Sequence, residues 1–318
     1  MSSLTYADVT TAATRIAGHI RPVTVVEVDP GVFGKAQVWL ACEYMQHSGS
    51  YKARGAANFT AVHTESGVPE AGIVIASGGN AGLACAWAAR RHGVPATVFL
   101  PETAPAVKVE RLRFYGGRVR QVGTEYAHAA EAARLYSEST GAIRSHAYDH
   151  PLIAAGAGTL LPEILGEIGG NLDTVVVAVG GGGLLTGTAI AAEKHRVRVV
   201  AVEPENCRAL HAALAAGRTV DVPVDSVAAD SLGARRVSED ALHWAGRVGA
   251  RSLLVTDEAI VRARRALWDR RRIVVEHGAA TAYAALLDRV YVPEPGERVA
   301  IVLSGANTDP SDLVHDPA

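Results

Sequence analysis

Short runs dense in β-branched and aliphatic residues recur along the chain, separated by alanine-rich segments whose apolar positions repeat at helical spacing. VTVVEV, QVWLAC, GIVIAS, ATVFL and RVRQV are followed by TVVVAV, RVRVVAV, SLLVT and RVAIVL. Strand thus alternates with helix, which predicts the α/β class. Thr174 to Val179 and Val197 to Val202 are largely apolar at odd and even positions alike, as strands are when helices cover both faces of a parallel sheet.

A chain of 318 residues exceeds what a single compact core usually takes. Two units are therefore expected, although no Pro-, Ser- or charge-rich linker divides them. Residues from Tyr44 to Thr140 carry strand and helix pairs of their own, among them GIVIAS with a helix to His92 and ATVFL with a helix to Tyr115. This predicts a small inserted α/β domain over 44–140 within a larger discontinuous domain of 1–43 and 141–318. A ligand is expected in the cleft beyond the carboxyl ends of the strands.

Charge narrows the function classes. Lys plus Arg (31) nearly cancel Asp plus Glu (33), leaving no positive field to recruit nucleic acid or an anionic membrane. The densest basic run, Arg262 to Arg272, has helical spacing and reads as a solvated helix face. Cys42, Cys85 and Cys207 form no Cys-x-x-Cys pair, so neither a disulfide framework nor a zinc knuckle is indicated and a reducing cytoplasm is expected. MSSLTYADVT lacks a basic segment followed by an apolar core, and no apolar run reaches the ~18 residues of a membrane span. Neither export nor membrane insertion is expected.

Chemistry concentrates where strands give way to glycines. After TVVVAV come Gly180, Gly181, Gly182 and Gly183, and helical residues resume at Leu184. Backbone N–H groups free of Cβ interference, with a helix start behind them, make an anion site whose natural occupant is a phosphate. The alternative is a closely packed turn. Glu203 ends the next strand about 20 residues on, where the ribose-binding acid of a dinucleotide fold would sit. No third glycine completes G-x-G-x-x-G, however, and no G-x-x-x-x-G-K-[ST] occurs.

In SGSYKARGAANF, Lys52 follows the polar turn Ser48 to Ser50 and opens a helix. Taken alone a lysine is a surface residue, yet partial burial at the positive end of a helix favours the free amine that catalysis needs. GIVIASGGNAG runs a buried strand into Ser77, Gly78, Gly79 and Asn80 and then a helix. Its N–H groups could hold a carboxylate and the Asn80 amide a ring hydroxyl, or Asn80 could be an ordinary N-cap. RVAIVLSGAN places Ser304 at the carboxyl end of a strand, as a turn residue or as a hydroxyl for a heteroaromatic nitrogen.

Together, in this order, these motifs resemble those of the fold-type-II pyridoxal-phosphate enzymes, and among them the serine and threonine dehydratases (threonine ammonia-lyases). The resemblance spans nearly the whole chain: SGSYKARGA as lysine motif, SGGNAG as asparagine loop, GGGGLLTG as phosphate cup, LSGAN as pyridine-nitrogen motif, and the segment DSVAADSLGARR from Asp225 to Arg236. It implies a tryptophan-synthase-β-like fold, two open parallel-sheet domains with the cofactor in the cleft between them, in a homodimer. By the same resemblance Lys52 holds pyridoxal 5'-phosphate as a Schiff base, Tyr51 packs on the ring, and Asn80 bonds the 3-hydroxyl. Gly180 to Gly183 and Leu184 hold the phosphate, Ser304 faces the pyridine nitrogen, and Ser77, Gly78, Asn80 and Ala81 line the pocket for the substrate carboxylate. Tyr51 stands where phenylalanine is frequent and Ala306 where a second glycine is, and neither change removes a needed group. Glu203, with the backbone near Cys207, matches a cation site of some members, and Ala209 replaces the aspartate of the magnesium-binding pattern. That makes a monovalent cation the expectation, with a paired structural carboxylate as the alternative.

The implied reaction is removal of the substrate α-proton by the freed Lys52 amine and loss of the β-hydroxyl, with the bound phosphate as the nearest acid. Serine, threonine or a related β-hydroxy amino acid then gives a 2-oxo acid and ammonia. A neutral Ser304 cannot hold the ring nitrogen protonated as a carboxylate would, which disfavours transamination. Racemases resembling this family place a serine where Gly78 stands, and β-replacement enzymes carry a threonine in the asparagine loop, so both are weaker alternatives. A nucleotide-binding oxidoreductase is the alternative without this cofactor. No regulatory domain is expected after the Ser304 motif.

Overall fold

The structure, a computed structural model, describes residues 4–314. Among them the strands are β1 (Val25–Glu27), β2 (Gln37–Ala41), β3 (Ile73–Ala76), β4 (Ala96–Leu100), β5 (Arg118–Gln121), β6 (Ile143–Arg144), β7 (Thr174–Ala178), β8 (Arg198–Pro204), β9 (Arg251–Val255) and β10 (Arg298–Val302). Each of the nine apolar runs noted in the sequence is a strand. A six-stranded sheet has the order β1-β2-β10-β7-β8-β9, and a four-stranded sheet has the order β5-β4-β3-β6. Every pairing is parallel except that of β1, which lies antiparallel on β2 at the edge. The smaller sheet takes in β6, past the Thr140 limit drawn from the hydrophobic pattern, because Ile143 and Arg144 pair with Ile73 and Val74.

Side chains on successive residues of a strand point to opposite faces, and β7 uses both. Val175 and Val177 pack with Leu160, Leu161 and Leu185 on one face. Val176 and Ala178 pack with Ile260, Leu267 and Tyr283 on the other. Full burial of each such aliphatic side chain is worth about 1.5–3 kcal/mol, so helices on both sides hold the central strands in place.

The strand orders place the loops. β3, β4 and β5 step outward in one direction, while β6 returns to the opposite side of β3. In the larger sheet β7, β8 and β9 step one way and β10 returns to the other side of β7. Loops after the two strands at such a reversal part to opposite sides and leave a crevice beyond the carboxyl ends. The turn after β3 leads into the helix that begins at Asn80, the loop after β6 carries Ala147, and those after β7 and β10 carry Gly180 and Ser304.

The basic run from Arg262 to Arg272 is not wholly a solvated face. It lies on the helix Asp257–Arg271, where Arg264 turns inward and is buried. Its guanidinium donates to the carbonyl oxygens of Val275 at 2.7 Å and Asp309 at 3.0 Å and pairs with Asp312. Val275 lies 11 residues on, just past the helix, while Asp309 and Asp312 lie 45 and 48 residues on, which helical spacing alone does not reveal. No helix among the described residues is long and apolar enough to cross a membrane.

Candidate active site

The lysine turn is tied to the last strand. Ser48 adopts a left-handed conformation at φ 59°, Gly49 follows at φ 76°, and the helix Lys52–Ser66 begins two residues after Ser50. Tyr51 N–H donates to the Ser304 carbonyl oxygen at 2.9 Å, and Ala306 N–H donates to the Gly49 carbonyl oxygen at 2.9 Å. Lys52, partly buried, points its Nζ at the carbonyl oxygen of Ala147, 2.6 Å away on the loop after β6. Beneath it Arg54 is fully buried and donates to Glu43 at 2.7 and 2.8 Å, to Glu163 at 2.7 and 2.8 Å and to Thr159 at 3.0 Å. Removing either partner of such a buried pair leaves an uncompensated charge, so this network pins the first turn of the lysine helix.

After β7 the four glycines are required by what surrounds them. A Cβ on Gly181 would sit 2.3 Å from the Tyr148 ring, one on Gly183 3.0 Å from the Tyr148 carbonyl oxygen, and one on Gly180 2.9 Å from Leu232 Cα. Gly182 is left-handed at φ 99° and caps the helix Gly183–His195 that contains Leu184. The loop is therefore bare backbone at a helix start, with Tyr148 against it and Ala147, the acceptor of Lys52, next in sequence.

Asn80 does not cap its own helix. Gly79 occupies the cap of Asn80–Arg91 without a side-chain bond, which leaves the Asn80 amide free to reach across the cleft. Its Nδ2 donates to the two carboxylate oxygens of Glu276 at 2.8 and 3.0 Å, and its Oδ1 accepts from Asn307 Nδ2 at 2.7 Å. Burial pushes the Glu276 carboxyl up to about 7, against the Asn80 hydrogen bond that lowers it. Ser77 and Gly78 lie partly exposed in the turn before this helix, with Ala81 buried in its first turn. Ser304 is buried just past the end of β10.

These residues fit a phosphate-bearing aromatic cofactor. The hydroxyls of Ser48 and Ser50 are buried without a partner in the protein, the glycine loop is bare backbone at a helix start, and a primary amine is held at the Ala147 carbonyl oxygen, next in sequence to the Tyr148 that packs on that loop. The lysine, asparagine, glycine and serine motifs thus come together, through Ala147 and Tyr148 on one side and Asn307 on the other.

Glu203 stands apart from this cluster. Fully buried, it accepts from the backbone N–H groups of Leu210 at 2.7 Å and His211 at 2.8 Å, and so caps the helix Ala209–Ala216. Desolvation raises its carboxyl to about 7, with those two N–H groups opposing. Cys207 is buried nearby and its N–H donates to the Pro204 carbonyl oxygen. Among the described residues no three His, Cys, Asp or Glu side chains are grouped to hold a metal.

Three participants lie outside the sequence motifs, and a fourth, Asn307, lies inside one in which only Ser304 had a role. Ala147 acts through its backbone carbonyl, which side-chain patterns do not record, and Tyr148 follows it. Glu276 looks like any acid ahead of an alanine-rich helix, here His277–Leu287. Asn307 lies inside RVAIVLSGAN, where its signal was adjacency to Ser304.

The chain is similar to known proteins in sequence and in fold. L-threonine ammonia-lyase of Geobacter sulfurreducens is 35% identical over 274 residues, 86% of this chain and 67% of its own length. The serine dehydratase-like protein of Homo sapiens is 35% identical over 288 residues, 87% of each chain. The solved structure of maize serine racemase superposes with a TM-score of 0.92 at 28% identity, covering 98% of this chain and 96% of that one. The profile of the family described as pyridoxal-phosphate dependent enzyme matches residues 16–305, from before the lysine turn to the turn after β10, and the chain belongs to that family.

Proposed function

We propose that this protein is a dehydratase that converts L-threonine, L-serine or a related β-hydroxy amino acid to the 2-oxo acid and ammonia, with Lys52 as its catalytic lysine. The observation that carries the reading is the Lys52 amine held at 2.6 Å from the carbonyl of Ala147, the neighbour of the Tyr148 that packs on the bare glycine loop, while the residue before the lysine is hydrogen-bonded to the backbone of the neutral Ser304. Pyridoxal phosphate, when bound, supplies an electron sink for negative charge at the substrate α-carbon.

The protein's share is to hold, orient and move protons. Gly180 to Gly183 and Leu184 would hold the phosphate through backbone N–H groups, Tyr51 would pack on the ring, and Ser304 would meet its nitrogen. Ser77, Gly78, Asn80 and Ala81, at the start of the Asn80–Arg91 helix, would bind the substrate carboxylate through a positive helix end. Lys52 Nζ then takes the α-proton as general base. Ser304 carries no charge to stabilise a protonated ring nitrogen, which favours prompt loss of the β-hydroxyl over transamination.

The likeness to a serine racemase raises a second reading, which needs a proton donor on the face opposite Lys52. Gly78 offers none there. The three free, buried cysteines support a cytoplasmic setting. Release of 2-oxo acid from a panel of β-hydroxy amino acids tests the proposal: turnover of serine or threonine supports it, and a holoenzyme that releases none from any member refutes it.

A further inference from the structure

An asparagine amide can face either way, and only one orientation of Asn80 offers a donor to the cofactor. We propose that Asn307 is a positioning residue that fixes Asn80 in the donor orientation, taking its own orientation from the backbone carbonyl of Ser48. The inference rests on the reading of Asn80 as a cofactor-binding residue.

The argument is one of donors and acceptors. Asn307 Nδ2 lies 2.7 Å from the Ser48 carbonyl oxygen and 2.7 Å from Asn80 Oδ1. A backbone carbonyl only accepts, so the group that Asn307 turns toward Ser48 is its NH2; reversing it would set two oxygens against each other. The second hydrogen of that NH2 then requires an acceptor on Asn80, which fixes Oδ1 on this side and turns Nδ2 toward Glu276. Both Glu276 oxygens lie within 3.0 Å of Asn80 Nδ2, and one hydrogen shared between them leaves the other for the cofactor's ring oxygen. Glu276 alone does not settle the matter, because a protonated carboxyl can donate as well as accept.

Two features show that this orientation is not the local optimum of Asn307 itself. Its Oδ1 is buried without a partner, at a cost the protein could avoid with an apolar residue. The acceptor it reads is presented by Ser48 at φ 59°, a strained conformation for a serine, and the next residue must be glycine, since a Cβ on Gly49 would lie 2.8 Å from Asn307 Oδ1. The lysine turn, the asparagine loop and the Ser304 turn are thereby set by one amide.

The test is Asn307→Asp, which turns an oxygen toward Ser48 or Asn80 and drives the Asn80 amide to rotate. Cofactor dissociation constant and visible absorption spectrum are measured for the holoenzyme, in the parent and in an Asn80→Ala background. The substitution should weaken cofactor binding about tenfold or more and shift the absorption band in the parent, the loss expected for one charge-assisted hydrogen bond. In the Asn80→Ala background it should do neither. Equal effects in both backgrounds would make Asn307 a merely structural residue and overturn the proposal. A parent whose spectrum and affinity ignore Asn80→Ala would instead overturn the underlying reading of Asn80. Asn307→Ala, which introduces no charge, gives the same comparison should the aspartate variant fail to fold, with a smaller loss again confined to the parent.

Discussion

Tyr51 N–H donates to the carbonyl oxygen of Ser304 at 2.9 Å, so the residue before the lysine and the end of the last strand form one rigid element. An isolated bridge between Ser50 and Gly305 extends the contact. The two ends of the chain's chemistry, far apart in sequence, are thus fixed to each other by backbone, and side chains at Lys52 and Ser304 inherit that precision. Function in this family of sites depends on holding reacting groups in place before substrate arrives.

The glycine loop gives the first expected outcome. Gly181→Ala places a Cβ 2.3 Å from the Tyr148 ring, whereas Gly166→Ala meets nothing within 4 Å. The first change must displace Tyr148 or the loop, and a fluorescence titration should show cofactor affinity reduced by about tenfold or more. The second should leave affinity within about twofold. Equal affinities would mean that the loop does not hold the phosphate.

A second outcome concerns pH. Burial raises the Glu276 carboxyl from 4.5 to about 7, so the native state holds this proton more tightly than the unfolded chain does. The resulting stabilisation is present in full below the unfolded value and is lost as pH rises through the folded one, up to about 3 kcal/mol. Glu276→Gln has no such proton. Urea midpoints of the cofactor-free protein at about pH 5 and about pH 8 should therefore fall further for the parent than for the variant. Parallel changes would place the proton elsewhere.

Stereochemistry supplies a third. A Cβ on Gly78 would approach only Leu100 Cδ2, at 3.0 Å, the tip of a flexible side chain, so Gly78→Ser should fold with a small shift. Chiral chromatography of unreacted L-serine should show little D-serine with the parent and a measurable amount with the variant. Substantial D-isomer from the parent would favour a racemase with a different second base.

Much of this was legible in the sequence because strands and glycine turns advertise themselves locally. TVVVAV is buried on both faces as its composition implies, and the glycines after it could be nothing bulkier. β6 escaped because two residues, Ile143 and Arg144, carry no periodicity. Arg264 escaped because its partners, Val275, Asp309 and Asp312, are brought to it by tertiary structure. In the site, Lys52 and Asn80 stood out through their turns. Ala147 acts through a carbonyl, and Glu276 and Asn307 act through Asn80, a relation that exists only once the two sheets face each other.

The most direct test of the account is the position of the cofactor's covalent bond. The chain contains four lysines, Lys35, Lys52, Lys108 and Lys194, so the answer has few alternatives. Borohydride reduction of the holoenzyme, followed by proteolysis and mass spectrometry, should find the cofactor's mass on the peptide bearing Lys52 and nowhere else. Label on Lys35, Lys108 or Lys194 with Lys52 unmodified, or no stable label at all, would contradict the assignment of Lys52 and the mechanism built on it.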